Sequence, residues 1–257
     1  MRATDSAERV VAVLDLLGSA PEGLGVSDVA RELDVHRSTA SRLLGTLAAS
    51  RIVERDERSG RYRLGARIVG LAASAVARLP VVSQARPELE QLSLTSSETA
   101  NLSILDGTHV VYVDQVTPAQ TVVMASWVGR RSPAHASSSG KAMLAFGDPA
   151  VRERVIRGPF AAITSKTVTD PERLRAMLGE IRRRGYAVST GELEEGLVTM
   201  AAPVLANGRA VAAVSLSGPS FRIPARDVSR LARLLVDAAA AVGHRIAGRS
   251  SGTLLGG

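Results

Sequence analysis

The sequence predicts an α/β (α+β) chain of two globular parts: a winged helix-turn-helix domain at residues 1–65, a linker helix at 66–80, a larger mixed domain at 81–248 and a flexible tail at 249–257. Three observations carry this. A length of 257 residues, 45% of them hydrophobic, is more than one small core needs and enough for two. The stretch up to Ser50 holds three short helical stripes joined by tight connections and runs straight into an alternating hairpin. Beyond Pro80, strand-like runs are mixed with well-marked helix starts, as in a layered α/β domain.

Asp5-Ser6-Ala7-Glu8 offers a capping residue with Glu three positions on, and Val10, Val11, Val13, Leu14 and Leu17 then recur at helical spacing up to Gly18. After a connector from Ser19 to Gly25, Ser27 is placed to cap a short helix carrying Val29, Ala30 and Leu33. The pattern restarts at Arg37, where Ala40, Leu43, Leu44, Leu47 and Ala48 supply the buried stripe of a third helix. Arg51 to Arg55 and Arg61 to Leu64 alternate in polarity around Asp56-Glu57-Arg58-Ser59-Gly60, a hairpin with a polar, Gly-ended tip. This is the wing.

The larger domain opens with a helix from Val81 to about Ser93, followed by strands at Ala100 to Leu105, Val110 to Gln115 and Thr121 to Ala125. A helix is predicted from Gly140 to Phe146. Asp170-Pro171-Glu172 starts another, with proline at the first helical position, and Gly185 stops it after three arginines. Strands at Tyr186 to Ser189, Leu197 to Leu205 and Ala210 to Ser217 precede a long helix from about Pro224 to Ala247.

The net charge is +7, and 30 of the 32 basic residues are arginine. Between Arg37 and Arg67 eight arginines face three acids, so most of the excess sits on the third helix and the wing, where a polyanion would be met. Absence of cysteine excludes disulfides, thiol catalysis and cysteine-ligated zinc. The N-terminus lacks a signal-peptide core and no window reaches the ~18 apolar residues of a membrane span, which predicts a cytoplasmic protein without a membrane partner.

Two enzyme signatures are approached in the sequence, and neither is complete. Ala136-Ser137-Ser138-Ser139-Gly140 approaches the G-x-S-x-G elbow of a serine hydrolase, but the only histidine after it is His244 and no oxyanion loop precedes it. Gly140-Lys141 suggests a phosphate loop, yet His135 stands where the first glycine belongs and Ala142 where the metal-binding hydroxyl belongs. Four histidines without metalloprotease spacing argue against a catalytic metal. No enzyme activity and no cofactor are expected.

Three stretches together resemble the IclR family of bacterial transcription regulators, over essentially the whole chain from Ser6 to Ala247. They are Leu24-Gly25-Val26-Ser27 through Ser38-Thr39-Ala40-Ser41-Arg42-Leu43-Leu44 to Gly60-Arg61-Tyr62-Arg63-Leu64-Gly65; Gly129-Arg130-Arg131-Ser132-Pro133 through Ser139-Gly140-Lys141-Ala142-Met143-Leu144-Ala145; and Gly185-Tyr186-Ala187-Val188-Ser189 through Glu192, Glu195-Gly196 and Ala201-Ala202-Pro203-Val204 to Val214-Ser215-Leu216-Ser217-Gly218. The chain departs from the family pattern at Thr199 and at Leu205-Ala206. The resemblance implies a GAF-like effector-binding domain, and a homodimer or dimer of dimers on double-stranded operator DNA.

A recognition helix must offer polar side chains to base edges while its other face docks on the domain. Arg37, Ser38, Thr39, Ser41 and Arg42 supply that set, with Arg42 as the guanine reader and Ser38 and Thr39 suited to phosphate. Arg58 and Arg61 flank the wing tip, within reach of phosphate or a narrow minor groove. For the effector, Ser137, Ser138, Ser139 and Gly140 stand at a helix start whose unpaired N–H groups favour an anion. Facing them are Thr199, Ser215 and Ser217, hydroxyls on otherwise apolar strands; a small organic acid is the expected ligand. The resemblance adds Met124, Ser189 and Leu197 as pocket walls. The alternative is a constitutive DNA-binding dimer whose larger domain holds no ligand, its core hydroxyls bonded only to backbone.

Overall fold

A computed structural model describes residues 6–76, 78–118 and 126–252. The chain divides into two compact units, Met1–Arg78 and Leu79–Gly257.

In the first unit, α1 (Ser6–Ser19), α2 (Val26–Glu32) and α3 (Arg37–Ala49) pack around Val13, Leu17, Val29, Leu44 and Leu47. The chain turns from α2 into α3 at Asp34, whose φ of 51° is left-handed, and Val35 N–H closes the turn on Ala30 O at 3.0 Å. Ser27 does not cap α2. The N-cap is Gly25, and Asp28 supplies the side chain, its carboxylate accepting from Gly25 N–H at 3.0 Å; the capping chemistry enters from inside the helix. β1 (Val53–Arg55) and β2 (Tyr62–Leu64) form the wing, with Arg55 opposite Tyr62, and Leu24 pairs with Tyr62 as a third edge. α4 (Arg67–Val76) follows, and none of its ten residues is buried.

The second unit is a six-stranded antiparallel sheet in the order β5-β4-β3-β8-β7-β6. Its strands are β3 (Thr99–Asp106), β4 (His109–Val116), β5 (Arg131–Pro133), β6 (Ala187–Thr190), β7 (Leu197–Ala206) and β8 (Arg209–Pro219). Ala100, Leu102, Met200, Val214 and Leu216 point to one face, where α5 (Pro80–Ser96) and α9 (Ala225–Gly252) cover them. The alternate residues face α6 (Ser138–Phe146), with α7 (Pro149–Ile156) and α8 (Pro171–Arg184) beyond it. α8 begins and ends where the sequence marks it: the Asp170 carboxylate accepts from Arg173 N–H at 2.8 Å, and Gly185 takes a φ of 85° that closes the helix.

The winged helix-turn-helix and the mixed domain are thus both present. The structure differs in detail. α6 starts at Ser138 rather than Gly140, because Ser137 is its cap; α9 runs on to Gly252, past the expected end at Ala247. β5 and α7 are short elements that periodicity did not mark. The strand predicted at Thr121 to Ala125 lies outside the described residues. Among the described residues no single helix is long and apolar enough to cross a membrane.

Candidate nucleic-acid interface and ligand pocket

Helical periodicity divides α3 cleanly. Ala40, Leu44 and Leu47 are buried in the core, while Arg37, Ser38, Ser41 and Arg42 are exposed on the opposite side, joined one turn on by Gly45 and Thr46. Thr39 is half-buried at the flank. The Ser38 hydroxyl lies 3.2 Å from Nδ1 of His36, the N-cap, and the Thr46 hydroxyl donates to Arg42 O at 3.0 Å. Thr46 was missed by sequence reasoning, although its place four residues after Arg42 puts it on the same face.

At the wing, the Asp56 carboxylate accepts from Ser59 N–H at 2.7 Å and Arg58 N–H at 3.0 Å, and these bonds hold its carboxyl below the usual range. The tip is thereby shaped and Arg58 exposed. Arg61 is placed differently. Its Nη1 donates to Gly23 O at 2.8 Å and its guanidinium lies 4.0 Å from Asp28, so it braces the wing against the α1–α2 connector. Arg63 is exposed on β2, and its charge acts on the Asp56 carboxylate.

In the second unit the sheet face toward α6 changes character along the strands. Ala201, Ala213, Val110 and Tyr112 make it apolar at one end. At the other, β3 offers Thr99 and Asn101, β8 offers Ser215 and Ser217, β7 offers Thr199 and β6 offers Ser189, all buried, while Ser103 stands opposite Ala213 and Tyr112. Register puts Asn101 opposite Ser215, and Ser217 opposite both Thr99 and Thr199. Asn101 Nδ2 donates to Ser217 Oγ at 3.3 Å, and Ser138 Oγ on α6 donates to Thr199 Oγ1 at 2.9 Å. Ser189 Oγ donates to Ala136 O at 3.4 Å, and Leu197 is buried two residues before Thr199 on the same face of β7. Helix start and polar strands therefore form one layer.

Four oxygens of that layer, Thr99 Oγ1, Asn101 Oδ1, Ser139 Oγ and Ser215 Oγ, are buried and have no hydrogen-bond partner among the described residues. Burial of an unpaired polar atom costs about 1–3 kcal/mol, so four in one layer need a reason. Ser137 and Gly140 are less available than the sequence implied. Ser137 Oγ accepts from Gly140 N–H at 3.0 Å, and a Cβ on Gly140 would lie 2.2 Å from Ala134 O, so this glycine lets α6 dock. The first-turn donors left over are the Ser138 and Ser139 N–H groups. Met124 lies outside the described residues.

Behind the layer, Lys141 is fully buried and ion-paired with Glu192, whose Oε2 also accepts from Val168 N–H at 3.3 Å. Both residues stand in the resemblance motifs, but their pairing was not foreseen. Burial pushes the Lys141 ammonium below its ordinary range, and Glu192 opposes that shift. His135, 4% exposed, points Nε2 at Ala161 O, 3.1 Å away. Burial lowers its pKa below the ordinary 6.5, against the Ala161 carbonyl. The folded state therefore binds its proton later than the unfolded chain. Stability of the second unit should be full above pH 6.5 and fall as pH drops through the window below it, by up to about 1.4 kcal/mol per pH unit. Urea unfolding of wild type and His135→Gln across pH 5 to 8 checks this; equal slopes for both would assign the loss to other groups.

Family models match nearly all of this architecture: the IclR helix-turn-helix domain over residues 6–57 and the bacterial transcriptional regulator IclR C-terminal domain over residues 73–244. The chain is 35% identical over 234 residues to the HTH-type transcriptional regulator BhcR of Paracoccus denitrificans, covering 90% of this chain and 84% of that one. It is similar to the crystal structure of an IclR regulator from Alicyclobacillus acidocaldarius, with a TM-score of 0.80, 31% identity and coverage of 93% and 97%. A second similar structure is an IclR homologue from Microbacterium hydrocarbonoxydans, crystallised with 4-hydroxybenzoate, with a TM-score of 0.78, 31% identity and coverage of 92% and 96%. The relatives are named as transcriptional regulators, not enzymes. With a DNA-binding helix-turn-helix in its first unit and an effector domain in its second, the chain belongs to the IclR family of bacterial transcription regulators.

Proposed function

We propose that the chain is a cytoplasmic regulator that binds a specific operator through α3 and the wing, and whose operator affinity is set by a small organic acid held in the second unit. The observation that carries the ligand reading is the set of four unpartnered oxygens in the layer between α6 and the sheet. A constitutive dimeriser would gain from filling those positions with hydrocarbon. The Ser138 and Ser139 N–H groups at the positive end of α6 favour a carboxylate, and Asn101 and Ser215 add polar partners for a hydroxyl or the second oxygen. The 4-hydroxybenzoate complex of the Microbacterium relative supports an acid of that class. Homodimerisation completes the reading. α4 is apolar over most of its surface, and Val69 and Leu71 are 69% and 54% exposed in a single chain, as suits a helix covered by a second copy.

Removing unpartnered oxygens should separate folding from binding. Ser139→Ala/Ser215→Ala is expected to leave the thermal midpoint of the free protein unchanged or raised, because no hydrogen bond within the chain is lost. The same variant should bind its acid about tenfold or more weakly in a calorimetric screen of aliphatic and aromatic acids, at roughly 1 kcal/mol per lost bond. An acid bound equally by both proteins, or a variant that is strongly destabilised, would reject the placement.

A further inference from the structure

α7 and α8 line an open groove of about 260 Å³ that the operator and acid binding proposed above do not use. α8 presents Arg175, Leu178, Gly179 and Arg182 to it, spaced one turn apart on a single face, and α7 presents Arg152, Ile156 and the carboxylate of Glu153, which Arg175 neutralises. Arg175 is held in place by Glu172 and by Glu153 at 3.3 Å. No ion-pair partner is seen among the described residues for Arg152 or Arg182. The helix dipole accounts for a basic residue at position 182, in the last turn of α8, but not for Arg152.

Gly179 is an independent sign. It lies inside the 14-residue α8, and a Cβ built on it meets nothing within 4 Å. Glycine is the poorest helix former after proline, and neither packing nor backbone geometry requires it here. Its missing side chain keeps the wall of the groove open between Arg175 and Arg182.

We propose that this groove is a second anion site, distinct from the serine-rich layer. It takes a small organic anion whose apolar body lies on Leu178 and Ile156 and whose carboxylate or phosphate meets Arg152 and Arg182. Guanidinium groups suit both, since each presents a planar pair of donors to two oxygens.

The test uses the full chain labelled with nitrogen-15, following the arginine Nε–H signals while phenyl phosphate or benzoate is added, with sodium chloride at matched ionic strength as the control. One of the two probes is expected to shift the Arg152 and Arg182 signals saturably, and which one does so distinguishes a phosphate from a carboxylate ligand. Gly179→Leu, which fills the groove, and Arg152→Ala/Arg182→Ala should each abolish the saturable binding without lowering the thermal midpoint. Ser139→Ala/Ser215→Ala should leave the shifts intact, so failure of the effector reading and failure of this site are separable. Shifts reproduced by chloride, shifts surviving in Gly179→Leu, shifts lost in the serine variant, or no saturable shift with either probe would overturn the proposal.

Discussion

Replacing Glu192 with alanine is expected to destabilise the second unit by about 3–5 kcal/mol, the usual cost of stranding one partner of a buried ion pair. Two losses add up at this site. Lys141, fully buried, keeps its charge without a counter-ion, and Val168 N–H loses its acceptor. Because burial already pushes the Lys141 ammonium below its ordinary range, the variant has an escape: it can shed the proton and bury a neutral amine. Its loss of stability should therefore shrink as pH rises. Lys141→Met/Glu192→Leu removes both charges and is expected to recover most of the stability, since apolar replacements of a buried pair are often neutral or better. Urea midpoints of the three proteins measure this. A Glu192→Ala variant within about 0.5 kcal/mol of wild type, the range of a neutral surface change, would contradict the assignment.

Arg42→Ala is expected to cost about 1–3 kcal/mol of discrimination between operator and non-operator DNA, the worth of a bidentate guanidinium–guanine contact. Arg61→Ala should act otherwise. Its guanidinium is bonded to Gly23 O at 2.8 Å, so its loss loosens the wing and weakens all sequences alike, with little change in salt dependence. Arg58→Ala, which removes an exposed cation at the wing tip, should lower the salt slope by about one. Titration of selected genomic fragments at several salt concentrations separates the three. Stoichiometry in the same titrations is expected to be two or four chains per pseudo-palindromic site, because one helix reads too few base pairs. One chain per site, or unchanged specificity in Arg42→Ala, would show that the reading face or the dimer is wrong.

Where the chemistry is local, the sequence was legible. α8 is bounded by Asp170-Pro171 and Gly185 because a cap, a fixed φ and a left-handed glycine act within a few residues of one another. α3 and the wing follow from periodicity and turn chemistry in the same way. The start of α6 slipped by two residues because Ser137 through Ser139 are three equivalent capping residues, and only docking against Ala134 decides among them.

What stayed hidden depends on register between distant segments. Thr99, Asn101 and Ser103 alternate with apolar neighbours as plainly as Ser215 and Ser217 do, yet nothing local says that β3 lies beside β8. Asn101 and Ser217 are 116 residues apart in the chain. Lys141 and Glu192 are 51 residues apart, and nothing local pairs them; their burial is visible only once α6 and the β6–β7 turn are side by side. Arg61 was legible as a wing cation, but its turn inward to Gly23 follows from how β2 meets the α1–α2 connector.

Coupling between an acid in the buried polar layer and operator affinity is what joins the two units in function. It is tested most directly by operator titrations with and without the acid found in the calorimetric screen, on wild type and on Asn101→Leu. Wild type is expected to change by about 5- to 150-fold, the range of a coupling free energy of roughly 1–3 kcal/mol, and the variant, which keeps α3 and the wing intact, not at all. An operator affinity that the acid leaves unaltered in wild type, or alters equally in both proteins, would contradict it.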